Sequence, residues 1–450
     1  DWVVSFDLNS LYPHLIMQYN ISPETLVEKR HPSATVARIL GQKEQIDPRY
    51  ALCANGAQYR KDIHGFLPEI MQKIYDERVQ SKKLMLMAKQ EYEKTPTKEL
   101  EKSISKYNNI QMARKIQLNS AYGAIGNQYF RYYNLRNAEA ITMSGQVSIR
   151  WIEHKMNKFL NDTLKTEGED YVIASDTDSI YLNLGPLVER VYEGREKTNK
   201  SVVTFLNKIC ELELEKYIEG SYKELAKYVN AYDQKMVMKR ENIASTGIWT
   251  AKKRYMLNVW DSEGVRYDEP KLKMMGIEAV KSSTPAPCRT AIKNAIQVMM
   301  NGTEDDLLSY IDTFKSEFNS LPPEDIAFPR SVNGLRKFKA SGTVYSKGCP
   351  LHVRGTLLYN FYIAKNKLEY KYPLVQEGEK IKYAYLLRPN PLGNENVISF
   401  LNTFPRELDL EESIDRDAQF KKSFLDPLRI ISDVIGWDIE RVPNLEFLFA

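Results

Sequence analysis

Tyr171-Val172-Ile173-Ala174-Ser175-Asp176-Thr177-Asp178-Ser179-Ile180-Tyr181-Leu182 is a pair of apolar runs around a polar tip. The pattern reads as a β-hairpin carrying two carboxylates at its turn. A lone D-x-D is commonly no more than a turn or a cap. A second acid changes its weight. Trp2-Val3-Val4-Ser5-Phe6-Asp7 is a near-continuous apolar strand ending on Asp7. A carboxylate there is costly unless it is paired or metal-bound. Asp7, Asp176 and Asp178 therefore place acids on two separate strand ends. Mg²⁺ takes one or two carboxylates and completes its shell with phosphate oxygens and water. Two such ions can activate a hydroxyl and stabilise a leaving oxygen.

Between these strands the pattern is helical. Residues 11–19 predict a short helix. Residues 67–94 and 98–122 predict two long ones, separated by Thr95-Pro96-Thr97, a short link that favours an antiparallel pair. From 68 to 118 there are 11 Lys/Arg against 7 Asp/Glu, so this arm is either a solvated hairpin or faces an anion. Lys115, Asn119 and Tyr122 share one helix face at i, i+4 and i+7. A lysine there can hold a phosphate, and an aromatic offers a flat surface to a base pair. The plain alternative is a surface lysine beside a core tyrosine. Arg78 and Lys82 repeat the i, i+4 spacing on the preceding helix. Residues 138–165 and 200–230 also predict helix, and 235–241 and 254–260 predict strands. Beyond Pro285 the pattern is helical again, then rich in Gly, Pro and Lys around 330–355, with strands near 380–400.

In this setting five segments resemble the motifs of family B DNA polymerases, in that family's order. They are Asp7-Leu8-Asn9-Ser10-Leu11-Tyr12-Pro13, Lys115 through Asn119-Ser120-Ala121-Tyr122-Gly123, Asp176-Thr177-Asp178-Ser179, Lys252-Lys253-Arg254-Tyr255, and Met275-Gly276 through Lys281-Ser282-Ser283-Thr284-Pro285. Phe130 through Ala138 and His352-Val353-Arg354-Gly355 are similar to the replicative polymerases of tailed bacteriophages.

The resemblance implies a DNA-templated DNA polymerase with an α+β, right-hand fold. An antiparallel-sheet palm would span 1–30 and 119–285. Helical-hairpin fingers would span 31–118, and a mixed thumb 286–450. Asp7 and Asp178 would bind two Mg²⁺ ions, with Mn²⁺ as a substitute. Leu8 would be a further metal contact and Asp176 a less direct acid. Ser10, Leu11, Tyr12, Arg78, Lys82, Lys115 and Asn119 would hold the dNTP, with Tyr12 excluding a 2′-hydroxyl. Tyr122 and Gly123 would face the nascent base pair. Lys253 and Tyr255 would contact primer–template DNA, and Glu241 would lie close to the metals. Lys337, Lys339, Lys347 and Arg354 would meet duplex phosphates. Ala174-Ser175 departs from the Tyr-Gly usual before D-T-D-S, which puts primer-end positioning in question.

The family carries a proofreading exonuclease upstream of the first motif. This chain opens directly on a strand, so it reads as the later part of a longer protein or one half of a split one. An exonuclease-bearing portion or partner chain is then expected. Asp438 and Glu440 read as surface or capping residues rather than an exonuclease site. The apolar tail 444–450, with Leu445, Phe447 and Phe449, reads either as a locally buried end or, on the resemblance, as a sliding-clamp contact. The resemblance also places the protein in the cytoplasm of an infected bacterial host.

Composition agrees with a soluble globular protein. The 450 residues are 43% hydrophobic and 27% charged, with net charge +4, enough for two to four domains without a basic tail. No run approaches the ~20 apolar residues of a membrane span. Cys53, Cys210, Cys288 and Cys349 form no C-x-x-C pair. Two other readings remain at this point. A metal-dependent sugar transferase explains the D-x-D but not the helix face or Lys252-Lys253-Arg254-Tyr255. A non-catalytic replication subunit does not explain intact acids.

Overall fold

The structure is a computed structural model that describes residues 1–340 and 342–440. Leu445, Phe447 and Phe449 lie outside the described residues. Two compact units divide the chain. The first comprises Asp1–Ser245 and Val259–Pro270, the second Thr246–Asn258 and the chain from Lys271 onward.

The first unit is built on β1 (Val3–Leu8), which lies inside a six-stranded sheet. After it come the helices α1 (Leu11–Tyr19), α2 (Phe66–Lys94), α3 (Lys98–Ile125) and α4 (Leu135–Leu164). The hairpin strands are β2 (Val172–Ser175) and β3 (Ser179–Asn183). Strands β4 (Met238–Ala251), β5 (Arg254–Ser262) and β6 (Val265–Met275), whose residues divide between the two units, complete the order β2-β3-β1-β4-β5-β6. Neighbours on both sides explain the continuous apolar run of β1. Every residue in it is buried except Asp7. Both of its pairings, to β3 and to β4, are antiparallel.

The helices form where periodicity predicts them, with ends set by caps. Thr97 accepts from the Leu100 N–H at 3.2 Å to start α3, and Asn134 accepts from the Asn137 N–H at 3.2 Å to start α4. The segment 200–230 is two helices, Asn199–Ile209 and Glu215–Tyr228, joined through a π-turn at Cys210–Leu214. The strand expected from 235 begins at Met238 and runs on to Ala251. Strand β6 was not expected. It is polar and largely exposed, so it has no apolar run to reveal it. Its cue is the turn Glu263-Gly264, where both residues have positive φ (49° and 88°), the geometry of a tight type I′ hairpin.

The second unit has its own core. Helices Ala286–Asn301 and Glu304–Ser320 are separated by Gly302-Thr303. Thr303 and Asp306 form a reciprocal capping box. A three-stranded antiparallel sheet has the order β9-β8-β7, where β7 is Phe328–Ser331, β8 Lys380–Tyr385 and β9 Val397–Phe400. Helix Leu351–Lys365 lies close on β9. A Cβ at Gly355 would sit 2.6 Å from Ser399 Oγ, so only glycine permits this approach. The last helical stretch contains a π-turn at Lys421–Leu425. At Gly276 (φ 67°) a methyl group would overlap the carbonyl oxygen of Lys253.

Candidate active site

The first unit brings the hairpin tip onto the end of β1. Asp7 pairs with Ser179 across the strands, and the Leu8 N–H donates to the Asp178 carbonyl at 2.7 Å. Asp7 and Asp178 thus emerge side by side from one sheet edge, both half-buried. Asp176 is oriented differently. Its Oδ1 accepts from the Thr177 N–H at 2.7 Å and the Thr177 hydroxyl at 3.2 Å, which ties it to its own turn.

Glu241 reaches the same edge by a different device. Ser5 pairs with Asn242 and Phe6 with Arg240, so Glu241 is the extra residue of a β-bulge in β4. Bulges re-aim side chains and recur beside active sites. Ser5 and Asp7 share a face of β1 because they are two apart. Ser5 Oγ donates to Glu241 Oε2 at 3.2 Å. The bulge therefore carries Glu241 to the Asp7 face. Behind it, Arg240 is buried in an ion pair with Asp261, their side chains 5% and 2% exposed. Arg240 also donates to Asn207 Oδ1 at 2.7 Å.

After β1 the chain turns sharply into α1. Ser10 holds the left-handed conformation (φ 46°, ψ 56°), which costs a non-glycine residue on the order of 1 kcal/mol. No side chain caps α1, and no acid occupies its first turn. Its first N–H groups and positive dipole end are suited to an anion. Arg78 from α2 donates to Ser10 Oγ at 2.9 Å and so stands at this turn. Tyr12 packs edge-on against Tyr122 of α3, ring centres 4.8 Å apart. On its other side, a Cβ at Gly145 of α4 would sit 3.6 Å from the Tyr12 ring.

The two long helices are clasped by Arg114 and Glu77 at 2.7 Å. Lys82 is half-buried, and Lys115 and Asn119 are exposed. No hydrogen bond or ion pair joins these three to the Asp7 edge among the described residues. Gly123 faces open space. In the second unit, Lys253 is exposed on a turn with φ 62°. Tyr255 is buried and stacks on Trp249 at 5.7 Å. Arg354 is half-buried with its guanidinium over Tyr345, while Lys337, Lys339 and Lys347 are exposed.

Among the described residues, no three His, Cys, Asp or Glu side chains are arranged to hold a metal. Two adjacent carboxylates on one edge suit Mg²⁺ whose other ligands come from a polyphosphate and water. The residues fit that site and not a closed protein cage.

The profile of DNA polymerase family B matches residues 1–221. The DNA-directed DNA polymerase of Escherichia phage RB69 is 35% identical over the whole of this chain, which covers 55% of that protein. The chain belongs to DNA polymerase family B. A second relative, the DNA-directed DNA polymerase of Enterobacteria phage T4, is 33% identical over the whole chain and is also covered to 55%. From further afield, the DNA polymerase of Thermococcus gorgonarius is 24% identical over 78% of the chain. This family B chain thus spans about half the length of the two phage relatives.

Three residues of the site were not picked out from the sequence. Asn9 Nδ2 donates to the Tyr75 hydroxyl, and His14 packs edge-on to Tyr75 at 4.5 Å. His14 Nδ1 lies 3.0 Å from the Ser10 carbonyl. Its spacing, i+4 from Ser10 on a helix, was the available cue. Burial pushes the His14 imidazole below its ordinary value of 6.5, the Ser10 carbonyl partly opposes this, and Lys235 and Arg78 lower it further. The folded protein therefore binds fewer protons here than the unfolded chain. Stability from this group is intact above pH 6.5 and falls as pH drops below it. His14→Gln should flatten the fall in melting temperature on acidification from neutral pH. An unchanged slope would show that His14 does not titrate this way.

Proposed function

We propose that the chain catalyses DNA-templated extension of a primer, using dNTPs and releasing pyrophosphate. The adjacency of Asp7 and Asp178 beside the uncapped start of α1 supports this most strongly. The 3′-hydroxyl would attack the α-phosphate in line. Two Mg²⁺ ions held by Asp7 and Asp178, with Leu8 beside them, would neutralise the phosphates and favour the hydroxyl's ionised form. Glu241 would add negative charge at the same edge. The N–H groups of Ser10 and Leu11 would receive the triphosphate, with Arg78 already at that turn. Lys82, Lys115 and Asn119 would approach from the helical hairpin when it closes, a form of induced fit. Tyr122 and Gly123 would meet the new base pair, and Lys253 and Tyr255 the primer–template.

On this reading 1–30 and 119–285 form the palm, 31–118 the fingers and 286–450 the thumb. The setting would be phage replication in the cytoplasm of the bacterial host. No helix among the described residues is long and apolar enough to cross a membrane.

Extension of a labelled primer in the presence of dNTPs tests the proposal, and transfer of a sugar nucleotide instead would replace it. Tyr12 supplies a sharper test. Its ring is held between Tyr122 and Gly145 and has little room to yield. Tyr12→Ala should lower discrimination against ribonucleotides by about 10²-fold, measured as the ratio of kcat/KM for dNTP and rNTP. Equal discrimination would remove the steric role.

A further inference from the structure

The turn between β1 and α1 is strained and is held from outside. Ser10 keeps a left-handed backbone (φ 46°, ψ 56°) that glycine adopts most freely. Such conformations persist where the surroundings over-determine them, and they cluster at ligand clamps. Three contacts fix this one. Arg78 of α2 donates to the Ser10 hydroxyl at 2.9 Å. His14 Nδ1 lies 3.0 Å from the Ser10 carbonyl, which can only accept, so that nitrogen carries the proton. Next to Ser10, Asn9 Nδ2 donates to the Tyr75 hydroxyl.

Tyr75 and Arg78 are three apart on α2 and share a face. Both reach the same two-residue turn, one at Asn9 and one at Ser10. The turn links them in its own right, since Ser10 Oγ donates to Asn9 Oδ1 at 3.4 Å. Tyr75, Asn9, Ser10 and Arg78 thus close a ring, with one turn of α2 as its last side. His14 braces that ring. It is buried and meets Tyr75 edge-on, ring centres 4.5 Å apart at 86°. Asn9 is also tied to the sheet, its N–H donating to the Val237 carbonyl at 3.0 Å. The preceding N–H, of Leu8, is the one bound to the Asp178 carbonyl. The ring is therefore continuous with the edge that carries Asp7 and Asp178. Arg78 gains most from it. Ordering a long guanidinium side chain costs conformational entropy, and an anion that meets it already ordered does not bear that cost.

We propose that Tyr75 and Asn9 are positioning residues: their hydrogen bond latches α2 to the Ser10 turn and sets Arg78 and the first N–H groups of α1 for a polyphosphate. The ligand is the triphosphate of a dNTP on the polymerase reading, on which this inference rests. Both residues act through Ser10 and Arg78.

Tyr75→Phe removes the hydroxyl and keeps the ring against His14, while Asn9→Ala removes the other half of the bond. In single-turnover extension by the full chain, each should raise the dNTP concentration for half-maximal rate by about five- to tenfold. The maximal rate should change by less than about twofold, because the loss falls on binding. Tyr75→Phe/Asn9→Ala should be no worse than the more affected single variant, since one bond is lost once. A residue that merely supported the fold would lower the melting temperature or the maximal rate without this split. In a second arm, binding of inorganic tripolyphosphate with Mg²⁺ is measured by calorimetry. Tyr75→Phe should bind it about fivefold more weakly than the wild-type chain. Should Asn9→Ala fail to fold, Tyr75→Phe carries both arms. An unchanged half-saturation or an unchanged tripolyphosphate affinity in Tyr75→Phe overturns the latch, as does a double variant whose losses multiply. A wild-type chain that binds tripolyphosphate but extends no primer would sink the polymerase reading alone, and the second arm would still decide the latch.

Discussion

Asp178→Asn should reduce primer extension by about 10³-fold or more, with folding and DNA affinity preserved. The backbone of Asp178 is anchored independently of its carboxylate, because its carbonyl accepts the Leu8 N–H. The substitution therefore changes charge and little else. Loss of one metal-facing carboxylate removes several kcal/mol of charge stabilisation in the transition state, and each ~1.4 kcal/mol is a factor of ten in rate. Single-turnover extension in Mg²⁺, with DNA affinity measured in parallel, checks this. Asp176→Asn is the internal comparison. Its carboxylate is committed to Thr177, so its loss should be much milder. Full activity in Asp178→Asn would remove the metal assignment, whatever the family.

The second large effect is on stability. Arg240→Leu should cost about 3–5 kcal/mol, because it strands Asp261 in a site that is 2% exposed. Arg266 lies 3.6 Å from Asp261 and can relieve only part of that burden. Replacing both partners, Arg240→Leu with Asp261→Leu, should recover much of the loss, since a buried ion pair often roughly balances an apolar one. Urea unfolding of the single and double variants reads both results. A single variant losing under about 1 kcal/mol would mean that water reaches the pair. Arg240 immediately precedes the bulged Glu241, so any double variant that refolds also tests whether the ion pair keeps the bulge in register. Its dependence of extension on Mg²⁺ concentration should shift if the bulge relaxes.

Much of this was legible in the residues. The apolar run before Asp7 and the runs flanking Asp176 and Asp178 gave strands at the right places, because period and polarity settle buried strands. The long helices followed from their periodicity and from the breakers Pro68 and Thr95-Pro96-Thr97 that set them apart. Strand β6 escaped because its burial is slight and its register is set by a turn, not by side chains. The bulge at Glu241 also escaped. Nothing in Lys239-Arg240-Glu241 says that one of three consecutive residues will drop out of the ladder; that depends on Ser5 and the Arg240–Asp261 pair, far apart in sequence. Tyr75 and His14 were passed over for a related reason. Their relevance comes from tertiary packing around Ser10, and their local spacing fits an ordinary core equally well. The motif residues Lys82, Lys115 and Asn119 were legible as a face, but a face does not tell where a helix will stand.

Gly276 leaves a bare patch of backbone pressed against the carbonyl of Lys253. The tight curl carrying Lys252 and Lys253 is thus wedged from behind, by main chain rather than by a side chain that can swing aside. Its two ammonium groups are presented from an unyielding knuckle. Tolerance to engineering should follow the same logic: the tip can be re-lettered with other long cations, whereas the notch behind it accepts no atom at all beyond hydrogen.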